Sequence, residues 1–379
     1  MKGKNTTTPP PRLVLLYGIG GVGKTSLAAS LATLSALKGR NTVVFTVDPA
    51  RRLADSLGMS ISEDEVTEVK LNFDSDQPTG SLKASMLHLD TAAKTLVMRY
   101  SPMPSLADKI SSNPVFLAAL RQMSNTEECL AWGKVYQLLT DTPMDTLIVD
   151  TPPAGSAPKF FHAPEQLLRL LEPAHIDLIK KPLKKLFRRK INLKKDAPSL
   201  LAAFLSGITG KTWLDEARDL IFSLQDFYDD FYYRVNDLQK ILKNPQRTSI
   251  LLVSSCNPSS IQETHRIAST LLLAQFPLKG IIFNRTSSPF FPGPSSAPNT
   301  VTTKFHTENL DREELQELDK FIREHHKRVI SETRSMKSFL KGFPVKLAGY
   351  KVPLLAHEIT SLEELETLHP YLIDCLDYF

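Results

Sequence analysis

The chain has 379 residues, of which 42% are hydrophobic, and a formal charge of +5. That length allows two or three average domains, or one large α/β domain with an insertion, around a sizeable core. Three widely separated cysteines (Cys129, Cys256, Cys375) argue against a disulfide framework or a zinc knuckle, and no apolar run nears the roughly 20 residues that span a bilayer; a soluble, cytoplasmic protein is expected.

Residues 1–11 are polar, lack the apolar centre of a signal peptide, and are expected to form a disordered tail. The apolar run 13–17 reads as a strand buried on both faces. It leads into residues 18–25, Gly-Ile-Gly-Gly-Val-Gly-Lys-Thr, and a helix-like run at 26–37 follows. Strand, glycine loop and helix in that order make a phosphate-binding loop, because the glycines let the backbone wrap an anion at a helix N-terminus. Gly20, Gly21, Val22, Gly23, Lys24, Thr25 and Ser26 are its expected nucleotide-binding residues. Lys24 would reach the outer phosphates, and the Thr25 hydroxyl would bind Mg²⁺.

A second strand over 42–47 delivers Asp48, which opens Asp-Pro-Ala-Arg-Arg-Leu-Ala-Asp. Asp48 is the best candidate to polarise an attacking water. A weaker strand is expected at 85–89. The run 146–149 ends in Asp150 and opens Asp-Thr-Pro-Pro-Ala-Gly. Asp150 would hold Mg²⁺ through water, and Gly155 would let a backbone amide approach a γ-phosphate. Strand-end aspartates are often only helix caps; in company with Lys24 and Thr25 the catalytic reading is preferred.

Between 157 and 245 the pattern turns helical. An apolar stripe over 214–242 fits helix-on-helix packing, while Phe222, Tyr232 and Tyr233 fall off it and leave room for a second contact surface. Residues 180–195 hold nine Lys or Arg and no acid, so the rest of the chain carries −4. A solvated connector is the preferred reading of this run; a contact for anionic lipid, nucleic acid or an acidic partner is the sharper one. Strands are expected again at 249–254 and 279–283, the second ending at Asn284. A proline-rich loop at 287–299, a charged helix over 308–341 and a weak strand at 352–355 complete the chain. The whole reads as an α/β protein with a doubly wound, mostly parallel sheet, whose ligand site lies at the carboxyl ends of its strands. Its expected organisation is an ATPase domain of residues 12–156 and 246–379, with a helical insertion subdomain at 157–245.

The set Gly-Gly-Val-Gly-Lys-Thr, Asp-Pro-Ala-x-x-Leu-x-Asp and Asp-Thr-x-Pro-x-Gly resembles the ArsA-type ATPases. These include the arsenite-pump ATPase and the guided-entry ATPase that targets tail-anchored membrane proteins. The resemblance continues through 160–173 and the C-terminal Val-Pro-Leu-Leu-Ala-His-Glu-Ile, and its details are closest to bacterial members. It implies a P-loop NTPase of the deviant Walker A class that binds ATP and Mg²⁺. It implies a first switch at Asp48 and Pro49, and a second at Asp150, Pro153 and Gly155. Asn284 would read adenine, and the segment around Pro353 would cover the base. A homodimer, or a heteromer with a paralogue, is also implied.

This chain departs from the family pattern at three places. Ile19 stands where a signature lysine usually reaches across the dimer. Arg51 and Arg52 replace a His-Asn or His-Ser pair; either both sit on a solvated helix start, or Arg52 is the candidate to supply the missing cation because its fork suits phosphate oxygens. The Cys-x-x-Cys of the guided-entry dimer is absent. The expected function is a Mg-ATP-dependent switch that couples nucleotide state to a helical subdomain binding a partner or the apolar helix of a client, with a peripheral membrane contact and no specific nucleic acid. An ATP-binding regulatory or scaffold protein with little hydrolysis is the alternative, a true anion-pump subunit a weaker one, and a partition ATPase weaker still.

Overall fold

A computed structural model of the chain describes residues 9–48, 52–61, 66–71, 80–88, 126–152, 157–170, 231–289 and 311–378. Eight strands form one sheet: β1 (Arg12–Gly18), β2 (Thr42–Thr46), β3 (Thr67–Val69), β4 (Leu82–Met86), β5 (Thr146–Asp150), β6 (Thr248–Ser254), β7 (Leu278–Thr286) and β8 (Ala348–Pro353). Their spatial order is β3-β4-β2-β5-β1-β6-β7-β8, and every pairing is parallel except β3 with β4. Parallel strands need crossovers, which cover both sheet faces, and this explains why β2, β5 and β6 are buried at every position.

The two faces carry separate cores. Alternation along β1 sends Leu13, Leu15 and Tyr17 to one and Val14 and Leu16 to the other. The second face packs under α1 (Lys24–Leu37), α2 (Arg52–Ser56) and the C-terminal turns of 362–378. α1 is rich in alanine and buried nearly all round, because the sheet covers one side and the C-terminal turns the other. The first face packs under α3 (Thr126–Asp141), α4 (Ala157–Leu170), a helical segment at 231–243, α5 (Pro258–Leu273) and α6 (Arg312–Lys341).

Several boundaries differ from the sequence reading. β4 starts three residues before the expected 85–89, since Thr42 of β2 pairs with Leu82 and draws the weakly apolar Leu82–Ala84 into the sheet. β8 starts at Ala348 rather than at 352 and ends at Pro353. The short antiparallel edge strand β3 is unforeseen. α6 begins at Arg312 because Asp311 is an extended N-cap, its side chain accepting from Glu313 and Glu314 while Glu314 bonds back. The basic run 180–195 and loop residues 290–299 lie outside the described residues, as do most of the expected tail and residues 171–230 of the expected insertion. No helix among the described residues is long and apolar enough to cross a membrane.

Candidate nucleotide site

β1 lies between β5 and β6, so the loop at its carboxyl end opens at the middle of the sheet. At Gly18 a Cβ would run into the Val253 carbonyl oxygen, so only glycine lets the chain leave β1 this close to β6. The loop turns through the exposed Gly20 and Gly21 and reaches Gly23 at φ 86° and ψ 27°, which caps α1 without a side-chain bond. The first turn of α1 holds no acidic residue, so no carboxylate of that turn competes for its free amides. Free amides and the positive end of the helix dipole together make an anion site.

Strand register brings the chemistry together. Leu16 of β1 and Thr46 of β2 both stand opposite Asp150 of β5. Asp150 Oδ2 accepts from Thr25 Oγ1 at 2.7 Å and from Thr46 Oγ1 at 3.0 Å. The Asp48 backbone N–H donates to Thr46 Oγ1 at 3.2 Å, which ties the expected first switch to the same carboxylate. Asp150 is only 1% exposed, and its Oδ1 has no hydrogen-bond partner among the described residues. Desolvation pushes its carboxyl up to about 6, against the pull of the Thr25 hydroxyl, the Lys24 charge and the Thr46 hydroxyl.

A buried carboxylate oxygen left unpartnered is costly unless a cation or donor meets it. Beside it stands the Thr25 hydroxyl, another hard oxygen. That donor set suits Mg²⁺, which uses one or two protein oxygens and completes its shell with phosphate and water. Among the described residues no three His, Cys, Asp or Glu side chains gather into a metal cage, and the three cysteines are free thiols.

Lys24 is buried, and its Nζ donates to the carbonyls of Gly18 and Ile19, each at 3.1 Å. Desolvation pulls its pKa below the usual lysine value, while Asp150 and Asp48 oppose that shift. The ammonium is curled over its own loop. Arg52 Nη1 lies 3.7 Å from Asp48 Oδ2, and the arginine side chain is mostly exposed. Ser26 is half-buried in the first turn of α1.

Asn284 ends the regular part of β7, where pairing with β8 slips between Phe283 and Thr286. Its Nδ2 donates to the Val22 carbonyl at 2.8 Å, and its Oδ1 accepts from the Arg285 N–H at 2.9 Å. Pro353 ends β8 nearby, held through Leu354 N–H to the Thr286 carbonyl at 3.0 Å. Lys24, Thr25, Asp48, Arg52, Asp150 and Asn284 thus gather around the loop. Pro49, Arg51, Pro153 and Gly155 lie outside the described residues. Sequence reasoning missed Thr46. Its signal was a hydroxyl directly after the apolar Val43–Phe45, two residues before Asp48.

The sequence pattern of the ArsA ATPases, described as anion-transporting ATPases, matches residues 11–321. A protein of Aquifex aeolicus, named for the driving of an arsenical pump, is 26% identical over 373 residues, covering 94% of this chain and 77% of its own length. The ATPase ASNA1 homolog 1 of Paramecium tetraurelia is 23% identical over 279 residues, covering 73% of this chain and 75% of its own. The ATPase ARSA1 of Chlamydomonas reinhardtii is 27% identical over 293 residues, covering 72% of this chain and 34% of its own. With the matched pattern spanning most of the sequence, the chain belongs to the ArsA ATPase family.

Proposed function

We propose that this protein hydrolyses Mg-ATP and that its nucleotide state repositions the helices that follow Asp150. The observation that carries the reading is the buried Asp150 carboxylate, with one oxygen held by Thr25 and Thr46 and the other unpartnered. Thr25 and Asp150 would hold Mg²⁺, the second through water. The ion, when bound, offsets the charge of the transferring phosphate. Lys24 leaves the Gly18 and Ile19 carbonyls for the phosphate oxygens, which repay its desolvation better than neutral carbonyls do. Asp48 accepts a hydrogen bond from the attacking water and so orients it. Arg52, released from Asp48, approaches the phosphates and offsets the charge that a lysine at Ile19 would have met. Gly20 to Ser26 supply backbone amides and hydroxyls to the phosphates, Asn284 and Pro353 contact the base, and Pro49, Pro153 and Gly155 move with the two switches.

The output runs through α4. It begins seven residues after Asp150, and its Phe160 and Phe161 pack against Trp132 and Tyr17 in the core. A shift of the intervening chain therefore moves a packed helix rather than a loose loop. We assign residues 157–245, the expected helical insertion, the role of holding an apolar helix of a client or partner protein, with Tyr233, at 65% exposure, on its described part. A second subunit, identical or paralogous, fits the same reading.

Hydrolysis in Mg²⁺ against EDTA, beside a Lys24→Ala control, tests the catalytic part. Turnover no faster than the control would leave only nucleotide binding. Photo-crosslinking to an apolar helical peptide in ATP and in ADP tests the output, and equal capture in both states removes it.

A further inference from the structure

We infer that Asn284 is a positioning residue for the phosphate-binding loop, clamping it at Val22 while keeping a second N–H for the base. The inference rests on the reading of that loop as a triphosphate site.

Asn284 and Val22 are 262 residues apart and joined by the 2.8 Å bond from Nδ2 to the Val22 carbonyl. The carboxamide cannot be turned over without loss, because Oδ1 already accepts from the Arg285 N–H at 2.9 Å. Arg285 makes that bond from φ 56°, a left-handed conformation that side-chain-bearing residues rarely hold without a reason. On the other side, Gly23 sits at φ 86°, and a Cβ there would lie 2.5 Å from Nδ2. Glycine at 23, the strained Arg285 and the slip of β7 against β8 all accommodate one carboxamide.

Its effect on the site follows from peptide geometry. The Val22 carbonyl and the Gly23 N–H belong to one trans peptide and point in opposite directions. Holding the carbonyl toward Asn284 aims the Gly23 N–H away from it, free for a phosphate oxygen. Val22 is only 4% exposed, so water is a poor substitute for the amide. Nδ2 carries two hydrogens and spends one on Val22, so the clamp and a base contact are compatible.

Inorganic tripolyphosphate separates the two roles, because it has the phosphates and no base. Titration of wild type, Asn284→Ala and Asn284→Asp with Mg-tripolyphosphate and with Mg-ATP reads them. The aspartate keeps the shape, loses the donor and adds a negative charge. Asn284→Ala should bind tripolyphosphate about three- to tenfold more weakly, the worth of one such hydrogen bond, Asn284→Asp more weakly still because its charge repels phosphate, and both should lose at least as much affinity for ATP. Tripolyphosphate affinity equal to wild type overturns the clamp: loss confined to ATP leaves base reading alone, and loss confined to the thermal midpoint leaves a structural role alone. Wild type binding neither ligand overturns the triphosphate reading itself. Should both variants fail to fold, nitrogen-15 spectra of wild-type protein decide. The Asn284 side-chain amide is expected to be exchange-protected before and after tripolyphosphate is added, and exchange as fast as in free asparagine overturns the clamp.

Discussion

Thr25 Oγ1 and Asp150 Oδ2 lie 2.7 Å apart across 125 residues of chain, and that hydrogen bond joins the phosphate-binding loop to the end of β5. It leaves Asp150 Oδ1 buried and unpartnered, an arrangement that is poor for stability and suited to an incoming cation. Asp150→Asn keeps an oxygen for Thr25 and Thr46 and removes the buried charge. Its thermal midpoint should equal or exceed that of wild type, while Mg²⁺-dependent hydrolysis should fall by about 100-fold or more. A lower midpoint with hydrolysis intact would assign Asp150 to the fold instead of the chemistry.

The centre of the sheet was legible because fully buried parallel strands are almost purely apolar. Leu13 to Tyr17, Thr146 to Val149 and Ser249 to Ser254 announce themselves with no help from their neighbours. The edges were not. Thr67–Val69 is three residues long with only Val69 buried, and Ala348 to Tyr350 alternate between half-buried and exposed. Such strands are specified by their partners, which sequence pattern does not display. The site divides the same way. Glycine spacing shows a phosphate-binding loop, and a strand-end aspartate shows a candidate carboxylate. That Thr46 shares Asp150 with Thr25 depends on the register of β2 against β5, and the bond from Asn284 to Val22 depends on a strand slip. Neither is a property of any local stretch.

Arg52 and Asp48 form a pair at 3.7 Å, with the arginine side chain 69% exposed and the aspartate half-buried. Such a pair contributes little to stability, about 0–1 kcal/mol. Arg52→Ala should therefore leave the thermal midpoint within about 2 °C of wild type. Turnover should still fall by about tenfold or more if the guanidinium meets phosphate oxygens during hydrolysis. Steady-state hydrolysis beside a melting curve decides, and unchanged turnover in both Arg51→Ala and Arg52→Ala removes the arginine from the mechanism.

Trp132 of α3 donates from Nε1 to the Phe160 carbonyl of α4 at 2.6 Å, and its ring lies 4.5 Å from that of Phe160. It is 1% exposed, so its emission reports on how α4 sits against α3. The chain has one other tryptophan, Trp213. In a Trp213→Phe background, Mg-ATP should shift the emission relative to Mg-ADP, and adding Lys24→Ala should abolish the shift. Identical spectra in the two nucleotides would mean that the switch does not reach α4. Trp132→Phe should cost about 1–3 kcal/mol, from the lost hydrogen bond and the smaller ring.

His369 sits in the C-terminal turns that cover α1, and desolvation lowers its pKa from 6.5 to about 4, with the Ser30 backbone opposing that shift. Its Nε2 has no hydrogen-bond partner among the described residues. Below pH 6.5 the unfolded chain takes up a proton at this ring that the folded chain refuses until about pH 4. Protonation therefore favours unfolding, and stability falls as pH drops through that window and rises again with pH. Above pH 6.5 both states hold the neutral ring and the slope vanishes. Because solvent reaches part of the imidazole, the loss should be about 1–2 kcal/mol rather than the full value of the shift. Urea unfolding of wild type and His369→Gln at about pH 4.5, inside the window, and about pH 7.5, above it, measures it, since other titrating groups cancel between the two proteins. The variant should lose about 1–2 kcal/mol less on acidification than wild type. Equal losses would mean that the ring is protonated in the folded chain, and that the turns over the phosphate-loop helix open to let solvent in.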